Sequence, residues 1–112
     1  LDICKYTDMK GGWFVGNFVP SAYQTEACEV CYKSHPKGER WDRHYHKVAT
    51  EINLLVRGQM LLQGVTLKQG DVFVVRPGEV ADPVFLEDCE VVVVKVPSCP
   101  GDKYVVETPE GD

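Results

Sequence analysis

Long apolar runs, basic charge, helical periodicity and histidine are all scarce in this chain of 112 residues. Its apolar stretches, such as Val91 to Val94, are strand-sized, far short of the roughly 20 residues that a membrane-spanning helix needs. The opening LDICKYTDMK has no apolar stretch behind a basic start, so it does not read as a secretion signal. Twelve Lys and Arg stand against 17 Asp and Glu, which gives a net charge of -5. No basic stripe offsets that balance, so neither nucleic acid nor a membrane is expected as a partner. Apolar residues at helical spacing are nearly absent, and a helix is expected only as a turn or two near PSAYQTE, where Pro20 and Ser21 resemble a start signal.

Five cysteines are present: Cys4, Cys28, Cys31, Cys89 and Cys99. An odd count without a secretion signal points to free thiols in a reducing compartment, and the cytoplasm is the expected location. Cys28 and Cys31 have the spacing of redox and zinc pairs. They lie, however, in an alternating stretch, TEACEVCYKS, with no second pair to complete a zinc set. Buried small hydrophobes are the simpler reading.

What recurs along the chain is a short run of Val, Ile, Phe and Tyr closed by a Gly or Pro turn. GGWFVGNF, EACEVCYKS, HYH, EINLLVRG, QMLLQG, DVFVVRPG, DPVFLEDCEVVVVKVPS and DKYVVET together supply eight or nine strands. The length suits one domain over residues 1–112, an all-β sandwich or barrel. The tail TPEGD is expected to fray.

Two of the three histidines fall in HYHKVATE, residues 44–51. On a strand, His44 and His46 project from the same face. Glu51 would share that face only if the chain reversed within KVAT and antiparallel pairing brought it back beside the histidines. Two imidazoles and a carboxylate make a borderline donor set, suited to Fe, Mn, Ni, Co or Zn and not to Mg or Ca. Taken alone, the His-x-His pair describes two strand histidines and nothing more.

The flanking glycines change that. Gly38, five residues, His44, one residue, His46, four residues, Glu51, six residues and Gly58 follow in order. Gly70, Pro77 and Gly78 come next, after a short gap at Gln59 to Gln69. This ordered set, over residues 38–96, resembles the two signature motifs of the cupin superfamily, in particular its small single-domain members of bacteria and phages. The resemblance implies a double-stranded β-helix, a jelly-roll barrel of two antiparallel sheets, with a divalent transition metal held inside by His44, His46 and Glu51. It also implies a third histidine at position 81, where this chain has Ala81. Glu79 and Asp82 are not expected on the inward face to replace it unless the backbone bulges, and His35 precedes the motif. Either three ligands and waters hold the metal, or the metal is lost and the pocket kept.

Parity with the ligands puts Asn53 and Asp42 toward a substrate, while Trp41, Arg43 and Tyr45 take the other face. Tyr32 and Arg57 are further candidates, for acid–base work and for an anionic group. No second histidine with a carboxylate to orient it is evident. The superfamily includes isomerases, epimerases, dioxygenases and binding domains, so three functions stay open: a metal-dependent enzyme on a sugar or carboxylate, a non-catalytic binding module, and a partner-binding scaffold. Small barrels of this type pair through edge strands, and a homodimer is expected.

Overall fold

The computed structural model describes residues 1–107; the closing TPEGD lies outside them. One turn of 3-10 helix (Tyr6–Asp8) leads into eleven strands: β1 (Trp13–Gly16), β2 (Tyr23–Gln24), β3 (Glu29–His35), β4 (His44–Tyr45), β5 (Thr50–Arg57), β6 (Gln59–Leu62), β7 (Val65–Lys68), β8 (Val72–Val75), β9 (Val84–Phe85), β10 (Cys89–Val96) and β11 (Tyr104–Val105). Six of them form one sheet in the order β2-β1-β3-β10-β5-β8. The other layer is split into β7-β6-β9 and β4-β11. Single bridges, Arg40 to Val84 and His44 to Ala81, run between the segments that carry its two pieces. Every pairing is antiparallel except β1 with β2.

The period-2 pattern explains why these segments are strands and which side they bury. Along β10, Cys89, Val91 and Val93 are buried; along β5, Asn53 and Leu55 are buried between exposed Ile52, Leu54 and Val56. The two strands pair through the middle of the large sheet. Met60 of β6 and Phe85 of β9 close over them, sharing one apolar cluster with Cys31, Leu55, Val91 and Val93. Leu55 alone, fully buried, contributes about 1.5–3 kcal/mol by leaving water.

One local expectation fails and one strand goes unforeseen, each for a physical reason. PSAYQTE forms no helix: Ala22 N donates to Phe14 O at 2.7 Å and Thr25 N to Gly16 O at 3.1 Å, so its backbone is satisfied by β1. Strand β7 was not legible, because it follows a two-residue hairpin, Gln63-Gly64, with φ of 51° and 75°. Such turns are usually signalled by Asn or Asp before Gly. Gly58, by contrast, is where glycine is required: φ is 98°, and a Cβ there would meet Asp88 O at 2.5 Å. Among the described residues, no helix is long and apolar enough to cross a membrane.

The five cysteines are free. Burial pushes the Cys31 thiol up to about 11, the opposite of the lowered pKa that a redox thiol needs.

Candidate functional site

His44, His46 and Glu51 line one cavity of about 110 Å³ inside the barrel. The histidine rings are 5.6 Å apart between centroids, and His46 Nε2 lies 3.0 Å from Glu51 Oε2. The chain does reverse within KVAT, but not by pairing neighbouring strands. His44 belongs to β4, which pairs β11, whereas Glu51 belongs to β5, between β10 and β8. The reversal crosses from one sheet to the other. Asp102 holds it: the buried carboxylate accepts the backbone N–H groups of Lys47, Val48 and Ala49 at 2.9, 3.0 and 2.9 Å.

Both histidines have a fixed tautomer. His44 Nδ1 donates to Asp42 O at 2.8 Å, and His46 Nδ1 donates to Asp102 O. A proton held at Nδ1 leaves Nε2 as the ligating atom, the arrangement that metal-binding imidazoles adopt. Since both nitrogens of His46 face acceptors, its bond to Glu51 needs a second proton, in the place a cation would take. The charges agree with this. The Glu51 bond, acting against burial, raises His46 above the ordinary imidazole value. Burial, the largest influence on Glu51, pushes its carboxyl up, but the His46 bond and the charges of Lys95, His46 and His44 outweigh it and leave the carboxyl low. Burial holds His44 down, in its neutral form. The donor chemistry and the tautomers therefore fit a borderline divalent cation. Among the described residues no three His, Cys, Asp or Glu side chains are drawn together around a common point, and Glu51 is bonded to His46 instead.

Ala81 stands where the motif expects a third histidine. His44 N donates to Ala81 O at 2.9 Å and Ala81 N to His44 O at 2.7 Å, and Ala81 lines the same cavity. A side chain at 81 thus enters the site beside His44. Glu79 and Asp82 line a separate surface groove.

A solved protein with a double-stranded beta-helix domain from Klebsiella pneumoniae matches at a TM-score of 0.66 and 22% identity, over 75% of this chain and 74% of that one. KdgF from Halomonas sp. matches at 0.60 and 25%, over 67% and 74%. The DMSP lyase DddQ from Ruegeria pomeroyi matches at 0.71 and 17%, over 89% of this chain and 52% of the lyase. The fold is that of the cupins. No family model matches the sequence, and no curated protein does either.

Within this cupin barrel the other expected residues divide. Asn53 lines the cavity, 3% exposed, with Nδ2 lacking a hydrogen-bond partner. Asp42 does not reach it: its side chain is exposed and only its carbonyl serves the site. Trp41, assigned above to the outer face, lines the cavity instead, with its ring 6.4 Å from that of His44. The parity count ran through residues 41–46 as one strand, but β4 is only His44–Tyr45. Tyr32 and Arg57, the candidates for acid–base work and for an anionic group, also lie away from the cavity. Neither lines the cavity, and both lie near Glu90: Arg57 is 3.6 Å from it, and a hydrogen bond to Glu90 raises the Tyr32 phenol. The inward residues of β3 are Cys31, Lys33 and His35.

His35 supplies the second oriented histidine that the sequence did not reveal. It lines the cavity, stacks on Phe85 at 4.1 Å and donates through Nδ1 to Glu39, which also accepts Trp41 Nε1 at 3.1 Å. The i, i+4 spacing of His35 and Glu39 was the available signal, hidden by the intervening Pro36 to Gly38 turn.

Proposed function

We propose that this cupin barrel holds a divalent transition metal, one of Fe, Mn, Ni, Co or Zn, through His44, His46 and Glu51, and binds or acts on a small polar molecule such as a sugar or a carboxylate. The observation that carries the reading is the pair of imidazoles whose Nδ1 protons are tied to backbone carbonyls, in one cavity with Glu51. A bound cation would act there as a Lewis acid toward a carbonyl or hydroxyl. The chain's own contributions are orientation and proton handling. Asp102 and the Asp42 carbonyl set the two rings, Met60, Phe85 and Val93 give the cavity an apolar lining, and His35, oriented by Glu39, can hold or pass a proton within it. One of the similar structures is a lyase, which is consistent with chemistry in such a barrel.

The second reading is a binding module that has lost full metal ligation, favoured by Ala81 in the third histidine's place. Metal analysis of protein purified without chelators separates the two. Bound metal that disappears in a folded His46→Ala variant supports the first reading; unchanged metal in that variant overturns the ligand assignment.

The expected homodimer has a specific surface to use. On the outer face of the large sheet, Ile52 and Leu54 of β5 lie opposite Val74 and Val72 of β8, and all four are exposed. β8 is the sheet edge, with no strand paired on its outer side among the described residues. A second copy pairing there would cover this apolar strip. Five free thiols accord with a reducing, cytoplasmic setting.

A further inference from the structure

The cavity is electropositive in a chain whose net charge is -5. Lys33 of β3 and Lys95 of β10 sit half-buried in its wall, and Lys103 stands exposed at its mouth. Their ammonium groups rest on two rings. Lys33 Nζ is 5.6 Å from the Trp13 centroid and 4.9 Å from that of Trp41; Lys95 Nζ is 4.8 Å from Trp13, and Lys103 Nζ is 4.5 Å from Trp41. Among the described residues, none of the three has a carboxylate within 4.0 Å. Glu51 and Glu29 face Lys95 across the sheet, but Glu51 is bonded to His46 and Glu29 accepts Ser98 Oγ at 2.9 Å. Asp42 acts on Lys103 only as a distant charge.

A second observation points the same way. The Asn53 side chain lines this cavity, and its buried Nδ2 has no acceptor among the described residues. Unsatisfied buried donors are rare in folded proteins, and one on a side chain that lines a cavity can be satisfied by a ligand oxygen once the amide turns toward it. Three ammoniums and an amide N–H are all donors, so the missing partner is an acceptor carrying negative charge. Aromatic faces hold the lysines only modestly and leave them free to turn onto an anion. Burial and the charges of Lys95 and Lys33 hold the Lys103 amine below its usual range, a repulsion that an anion would relieve.

We propose that the cavity binds a small organic anion, a carboxylate or phosphate, through Lys33, Lys95 and Lys103, with Asn53 Nδ2 donating to one of its oxygens. This deepens the reading of the barrel as a small-molecule site, on which it rests, and it does not depend on the metal. Trp13 and Trp41 are the chain's two tryptophans, so fluorescence reports directly on the rings beneath the ammoniums.

The test titrates chelator-treated protein with malonate, inorganic phosphate and the neutral malonamide at constant ionic strength. A saturable response to malonate or phosphate, absent with malonamide, is expected. Lys33→Met and Lys95→Met should each weaken it at least tenfold with the fold retained by circular dichroism, and Lys95→Arg should restore most of it. Methionine keeps the stem that packs on the tryptophans, so lost packing is not what is read. Equal binding of malonamide keeps the small-molecule site and overturns the anion assignment, as do methionine variants that bind malonate like the parent. Cation uptake is measured on separate, unchelated samples. Uptake without any anion response overturns the anion site alone; an anion response without uptake overturns the metal reading alone.

Discussion

Asp102 positions His46 across 56 residues of sequence: its carbonyl accepts the Nδ1 proton of His46, and its carboxylate ties down the three backbone N–H groups that follow. One residue thus orients a ring of the candidate site and fixes the reversal that returns the chain to Glu51.

Asp102→Asn should therefore destabilise the protein by on the order of 2 kcal/mol at neutral pH, because an amide cannot accept all three donors as a carboxylate does. Burial, the largest influence, pushes the Asp102 carboxyl up, but the bonds from Ala49, Lys47 and Val48 prevail and leave it below its ordinary value of 3.8. A lowered folded pKa means that this stabilisation is complete above about 3.8 and lost as pH falls through the folded value. Urea unfolding of both proteins from pH 7 to pH 3 checks this. The gap between them should narrow at the acid end, and a gap independent of pH would contradict the carboxylate's role.

Ala81→His restores the side chain that the motif leaves out. Because the backbone at 81 is already bridged to His44, the new imidazole enters the cavity without a shift in register. Affinity for Zn or Mn, measured by calorimetric titration, should rise about tenfold or more, a gain of roughly 1.4 kcal/mol or better. No gain would mean that the three present donors do not converge on a common ion.

Gly58→Ala tests the packing between β5 and the start of β10. The added methyl would lie 2.5 Å from Asp88 O on a backbone with φ of 98°. A stability loss of about 2–4 kcal/mol is expected, from strain at a left-handed position together with overpacking. A thermal midpoint within a degree of the parent would show that this segment yields.

Val72→Lys and Leu54→Lys place charge on the exposed apolar strip at the β8 edge. If a second copy covers this face, sedimentation should show a dimer for the parent and monomers for both variants, with fold and cation uptake retained. A parent that sediments as a monomer at high concentration would remove the dimer altogether.

Strand parity and motif spacing were legible in the sequence because both are local. The alternation along β5 and β10 and the inward turn of Asn53 follow from neighbours within a few residues, whereas Glu51 shares a cavity with His44 and His46 because the chain crosses there from one sheet to the other. Where a strand ends cannot be counted in the same way. Trp41 and Asp42 change places because β4 is shorter than the run that contains it, and Lys33 goes unnoticed because alternation does not reveal which phase of β3 faces inward.

By itself, then, the sequence determined an all-β chain of cupin type with two imidazoles and a carboxylate in reach of each other. Only the tertiary structure decided what surrounds them. Lys33 and Lys95, opposite Val91 and Glu29 on the paired strands β3 and β10, project into the cavity that Lys103, from the segment before β11, also lines. Asp102 reaches His46, and Asn53 is left without an acceptor. Closure of the sheets sets those neighbours, and no spacing along the chain encodes it.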